Sequence, residues 1–451
     1  MSARTITNLP LRALEGLLVV LAGGGCLCVL ASRRRSSRGA GHPSQRKLLV
    51  FNSSYSLDTL RARGAEHLIT HRDLDGYLEH VWTVHPLVGA SPGEPTTAGP
   101  PTVTALSPRH TMVEGKVRRF HTLGRVPNLN FFLAQVSLVL TLDRIIRDHG
   151  VSMLRGDPYY NGLLALLLGR VNRCPVELRV IADHDAIYEA TGRMAHPRLF
   201  RWRSVEQRVA RVALSRADRV VIGTEEYRSS VLGYGAKNDR ISCIGNWGMI
   251  NPVHLHDPRE RPQLESGLGD PPAIICVARL ERDKHVEDVI TSLAKVRRTH
   301  PNTTGVIVGD GSLRVELEQL RADLELDEHL VLAGDRNQPW LASMLAQASV
   351  VVAPLAGLAL VEAALSGTPI VAYDYEWHSE VVRTGDTGIL VPYRDTDALA
   401  AAICALLDDP ERAEHLAQRA RAQVLDIMEP ARLLAEERDQ VESLLAACAG
   451  R

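Results

Sequence analysis

The feature that most constrains this chain is a strand–helix alternation that runs twice, with a stretch lacking apolar periodicity between the two runs. In the second run, short apolar segments at 273–278, 305–308, 331–333, 350–353 and 370–372 alternate with segments of helical spacing at 285–298, 313–324, 339–346, 359–365 and 399–407. Short apolar runs joined by helices read as buried parallel strands with right-handed crossovers. The first run is less regular. Strands are expected at 47–52, 81–85, 151–155, 176–182, 219–223 and 241–244, and helices at 127–149, 163–171 and 199–215. Between the runs, NPVHLHDPRERPQLESGLGDPP at 251–272 is rich in proline and charge and reads as a linker. The fold class is therefore α/β: two Rossmann-like, doubly wound domains with a cleft between them at the carboxyl ends of the strands. The expected boundaries are 47–250 for the first domain, 273–425 for the second, and 426–451 for a terminal helix. The tail from 411 to 448 has helical spacing and is expected to pack back across the domain junction.

Ahead of the first domain, GLLVVLAGGGCLCVLA at 16–31 carries no charge and is followed by Arg33, Arg34, Arg35 and Arg38. The run falls slightly short of the ~17–25 residues of a spanning helix, and Arg12 and Glu15 can sit at the interface. Under the positive-inside rule the basic cluster holds the rest of the chain in the cytoplasm. A cleaved signal peptide is the rival reading. Residues 1–46 are thus expected to be a single-pass membrane anchor and tether, with the domains on the cytoplasmic side. Seven scattered cysteines without metal-ligand spacing suit a reducing compartment. A formal net charge of −1 and 4% aromatic residues argue against nucleic acid as a partner.

The chemistry-bearing residues cluster in the second run. In VARLERDKHVEDVI, Arg279 leaves a strand and Lys284 stands just before a helix. A helix start supplies unpaired N–H groups and partial positive charge, and the two side chains add full charges, so the segment suits a diphosphate. Two solvated surface charges are the plain alternative. In PLAGLALVEAALSGTP, beginning at Pro354, the small residues before Gly357 and Leu358 let backbone amides approach an anion. Glu362, one turn into that helix, can accept from ribose hydroxyls or stand as an exposed helical glutamate. Gly309-Asp310-Gly311 reads as a tight turn.

In order and spacing these segments, with VIVGDGSLRVEL and EWHSEVVRTGDTGILVP, resemble the retaining glycosyltransferases of the GT-B class, family four (glycosyltransferase group 1). The resemblance covers most of 273–425 and is looser over 47–250. It implies that Arg279 and Lys284 bind the donor diphosphate with the helix start at Gly357 and Leu358, and that Glu362 holds the donor ribose. It further implies His184 near the acceptor, with Asp157 on the same cleft edge, as orienting or acid–base groups. The donor would be a nucleotide diphosphate sugar, with no metal and no cofactor, because the cations replace a metal. The acceptor would be a hydroxyl, lipid-linked or on a surface-glycan precursor. Two departures stand out: Pro354 occupies the position of the family's first glutamate, and Asn52-Ser53-Ser54-Tyr55 replaces its glycine-rich loop. Pro354 therefore keeps open a catalytically silent relative that binds a nucleotide sugar or a partner protein at the membrane.

Overall fold

The computed structural model describes residues 46–51, 55–62, 64–88, 97–123, 126–192, 194, 199–200, 202–245, 250–260 and 273–449. The anchor expected at 1–46 lies outside these, Arg46 excepted, as do residues 52–54 and 261–272. Among the described residues, one helix is long and apolar enough to cross a membrane, Pro127–His149, and half of its most apolar window is buried inside the protein. It begins on a proline at its first turn and stops at Gly150, whose φ of 65° ends the helix in a left-handed cap.

Two sheets organise the molecule. The second holds β9 (Ile274–Val277), β10 (Gly305–Val308), β11 (Leu330–Gly334), β12 (Val350–Ala353), β13 (Ile370–Tyr373) and β14 (Ile389–Val391). All its pairings are parallel, in the order β11-β10-β9-β12-β13-β14. This is the doubly wound dinucleotide-fold order, and it reverses between β9 and β12. Side chains of β9 alternate between two cores: Ile274 and Cys276 pack on one face, Ile275 and Val277 on the other. That two-sided burial is why these strands read as unbroken apolar runs.

The first sheet follows the order β3-β4-β2-β1-β5-β6-β7-β8, with β1 (Lys47–Phe51), β2 (His80–Val88), β5 (Met153–Gly156), β6 (Val176–Val180), β7 (Arg219–Ile222) and β8 (Ile241–Cys243). Its far edge is the antiparallel hairpin β3 (Thr102–Ser107) and β4 (His110–Lys116), where no strand is expected from the residue pattern. β3 is mostly exposed or half-buried, so it lacks the apolar run that marks the other strands. The helix expected at 199–215 runs from Arg203 to Arg216, and an additional one, His184–Thr191, follows β6.

The expected terminal helix is two helices, Pro410–Ile427 and Pro430–Ala449. Proline cannot continue a helix without losing a backbone bond, so the break falls just before Pro430. Pro410–Ile427 packs Ala420 and Val424 into the second domain's core. Pro430–Ala449 crosses to the first sheet, where Val441 and Leu444 cover Leu48, Val50, Val81 and Met153. Each such buried side chain contributes roughly 1.5–3 kcal/mol.

The crossing is fixed by charge as well as apolar contact. Glu437 Oε1 lies 2.9 Å from Arg155 Nη1 and also binds Arg179, while Glu177 Oε1 lies 2.7 Å from Arg155 Nε and 3.0 Å from Arg179 Nε. Burial pushes the Glu437 carboxyl up, but Arg179 and Arg155 outweigh it and hold it at about 2. A folded value below the unfolded 4.5 means that the contribution is present above pH 4.5 and lost as pH falls toward 2. Glu437→Gln, which leaves buried guanidiniums short of a counter-charge, is expected to cost about 3–5 kcal/mol in urea unfolding. It should also flatten the melting temperature across that acid window.

Candidate functional site

β9 ends at Val277, and the chain then turns through Arg279 into the short turn Arg282–Lys284 before helix Val286–Val296. Both cations face one acceptor. Arg279 Nη2 lies 3.3 Å and Lys284 Nζ 3.7 Å from the same oxygen, Oδ2 of Asp283, whose side chain is buried. Asp283 was not singled out from the sequence, since an acidic residue between two basic ones reads as an ordinary charge run. Arg279 is half exposed, while Lys284 is largely covered. Burial draws the Lys284 ammonium down, Asp283 and Glu376 oppose this, and Arg279 adds to it. The pair therefore converges at the strand end rather than standing apart in solvent.

The turn that looked like mere punctuation sets the position of Arg279. Gly309 has φ of 134°, and a Cβ there would lie 2.0 Å from the Ala278 carbonyl oxygen. At Gly311 a Cβ would lie 2.4 Å from the Leu280 oxygen. The backbone is stitched across this contact: Leu280 N–H donates to Asp310 O at 3.1 Å, and Leu313 N–H to Leu280 O at 2.9 Å. Only glycine allows the exit of β10 to press against the exit of β9 in this way.

On the other side of the switch point, Leu355 and Ala356 are buried, and Gly357 stands exposed at the start of helix Leu358–Leu365 with open space around its α-carbon. No side chain caps that start, so the amides of Leu358 and its neighbours suit an anion. Pro354 is buried beside β12 and carries no carboxylate toward the site. Glu362 is buried, not an exposed helical glutamate, and burial pushes its carboxyl up to about 7. It faces the linker, where His254 Nε2 lies 3.7 Å from Glu362 Oε1 and 2.7 Å from Gln338 Oε1.

Across the cleft, helix His184–Thr191 lies against the turn Arg282–Lys284, so the His184 segment and the cation pair share one crevice. The His184 ring packs edge-on against Tyr159, with centroids 5.0 Å apart. Asp157 accepts from the Tyr159 N–H at 2.9 Å and from the Asn161 carboxamide, which ties it into the start of helix Tyr160–Asn172. Of the flanking acids, Asp185 binds Arg203, Gln207 and Tyr234, and Asp183 accepts from the Asp185 N–H. Sequence reasoning also missed Glu376. Burial raises its carboxyl, Lys284 lowers it, and Glu226 and Asp183 of the first domain raise it further. Gly309→Ala, which must displace the Ala278 carbonyl, is expected to cost about 1–3 kcal/mol in thermal or urea unfolding.

Residues 259–423 match the family described as glycosyl transferases group 1. Over 158 residues the chain is 33% identical to the alpha-D-kanosaminyltransferase of Streptomyces kanamyceticus, covering 34% of this chain and 41% of that protein. Over 181 residues it is 33% identical to the GDP-mannose-dependent alpha-(1-6)-phosphatidylinositol monomannoside mannosyltransferase of Mycolicibacterium smegmatis, covering 38% and 47%. The matched stretch thus spans less than half the length of either relative. Among solved structures, the fold superposes on Anabaena Alr3699/HepE in complex with UDP and glucose, with TM-score 0.65, 16% identity, and 88% and 100% of the two chains covered. It also superposes on sucrose-phosphate synthase from Thermosynechococcus elongatus, with TM-score 0.69, 18% identity, and 89% and 100% covered. Shared two-sheet architecture and the match over the second domain converge: the chain carries the GT-B-like fold, and its residues 259–423 are those of a group 1 glycosyl transferase domain.

Proposed function

We propose that this chain is a retaining glycosyltransferase that moves a sugar from a nucleotide diphosphate sugar to a hydroxyl acceptor. The observation that carries the reading is the convergence of Arg279 and Lys284 on one carboxylate oxygen at the switch point of the second sheet. An uncapped helix start stands on the other side of that point, at Gly357 and Leu358. As the donor bond breaks, negative charge builds on the diphosphate, and guanidinium, ammonium and helix amides stabilise it in place of a metal ion. The acceptor hydroxyl attacks from the face that the diphosphate leaves, and the departing phosphate takes its proton. His184, on the wall facing the cations, orients that hydroxyl, and Asp157 fixes the helix start beside it. Glu362 holds the ribose. The domains are 47–250 for the acceptor and 273–425 for the donor, joined by 251–272, with 1–46 as a single-pass membrane anchor that keeps the domains on the cytoplasmic side.

A lipid-linked acceptor fits that anchor, and the mannosyltransferase relative is named for a phosphatidylinositol mannoside. Pro354 supports a second reading, a silent relative that binds a nucleotide sugar at the membrane without transferring it. Assays of sugar transfer and donor hydrolysis separate the two. Under the first reading Arg279→Ala lowers turnover by about 10²–10³-fold; wild type that binds the donor without turnover supports the second. Glu362→Ala should erase the preference for a ribonucleotide diphosphate over its 2′,3′-dideoxy analogue in competition binding, while leaving the melting curve cooperative.

A further inference from the structure

His378 opens the short helix that follows β13 and is fully buried. Its ring lies between two backbone carbonyls. Nδ1 is 2.9 Å from Tyr373 O, and Nε2 is 3.0 Å from Ala356 O. A carbonyl oxygen only accepts, and a neutral imidazole has a single N–H to give. A neutral ring therefore satisfies one carbonyl and turns a lone pair toward the other, whereas an imidazolium donates to both. Ala356 immediately precedes Gly357, so the second carbonyl belongs to the segment that presents the helix amides.

The ring's pKa lies below the ordinary histidine value, chiefly through burial; of the charges nearby, Lys284, from the turn after β9, disfavours the imidazolium, and Asp374, beyond β13, favours it. Burial draws the ring's pKa down, and the two carbonyls push it up. Trp377 presents a neutral ring edge-on, with centroids 5.9 Å apart. These opposing influences leave the proton on His378 sensitive to any charge added nearby. A diphosphate drawn to Lys284 would bring that charge, and it would screen the cation that opposes protonation.

We propose that His378 is a positioning residue that takes up a proton when a nucleotide diphosphate enters the site, its imidazolium then clamping the Ala356 carbonyl so that the Gly357 and Leu358 amides face the phosphates. This rests on the donor-site reading above. No bond in the donor or acceptor changes; the proton comes from solvent.

Calorimetric titration of the full chain with UDP and with GDP, in buffers of different ionisation enthalpy between about pH 6 and 8, counts the protons exchanged. Wild type should take up a proton, and its affinity should weaken by up to about tenfold per pH unit as pH rises. Ionisation of Glu362 on binding would release a proton, so the two groups differ in sign. His378→Gln should bind more weakly, lose the uptake and lose the slope. Histidine ring resonances of the wild type should move from neutral to imidazolium on nucleotide addition, a readout that stands even if the variant folds poorly. Equal uptake in His378→Gln, or a ring whose charge state is unchanged by nucleotide, overturns the inference. A wild type that binds neither nucleotide sinks the donor-site reading itself.

Discussion

A parallel sheet must be covered on both faces, and that requirement arranges this molecule. The second sheet meets it locally, its own crossover helices supplying both cores. The first sheet does not. Its Leu49 and Phe51 face helices of the same domain, but Leu48 and Val50 are covered in part by a helix from the far end of the chain. The break before Pro430 lets that helix leave the second domain, and Glu437 fixes where it lands among Arg155, Glu177 and Arg179. The terminal helix thereby ties the second domain to the first.

With the domains so joined, the helix after β6 lies against the turn after β9, both at the carboxyl ends of their strands. The second sheet reverses direction between β9 and β12, so the loops after these strands diverge and leave a gap. Arg279 and Lys284 line one side and Gly357 the other. Asp283 holds the cations together without neutralising both, since one carboxylate faces two positive charges. The glycines after β10 make the approach of the neighbouring loop possible. Electrostatics and close backbone packing thus act on the same few residues.

Much of this was legible in the residues themselves. Strands 305–308 and 350–353 and helix 127–149 fall where their apolar patterns put them, because continuous burial and a helical period leave strong marks. Elements with a mixed environment left weak ones. The β3–β4 hairpin has an exposed edge strand, and helix His184–Thr191 is half-buried or exposed at the residues described, so neither shows a clean period. At the site, cations beside a strand end were recognisable by type and spacing. Asp283, Glu376 and His378 were not, because a carboxylate or an imidazole declares its role only through what surrounds it.

By itself, the sequence determined that the chain forms two strand–helix repeats, that the second carries a cationic pair and a small-residue helix start in a known order, and that Pro354 breaks that order. These are local properties, written in period, residue type and spacing. Only the tertiary structure decided that Glu362 is buried against a linker histidine, that the terminal helix divides to serve both domains, and that His378 sits between two carbonyls. Each of these depends on burial and on distances between segments far apart in the chain, and no pattern along the chain encodes them.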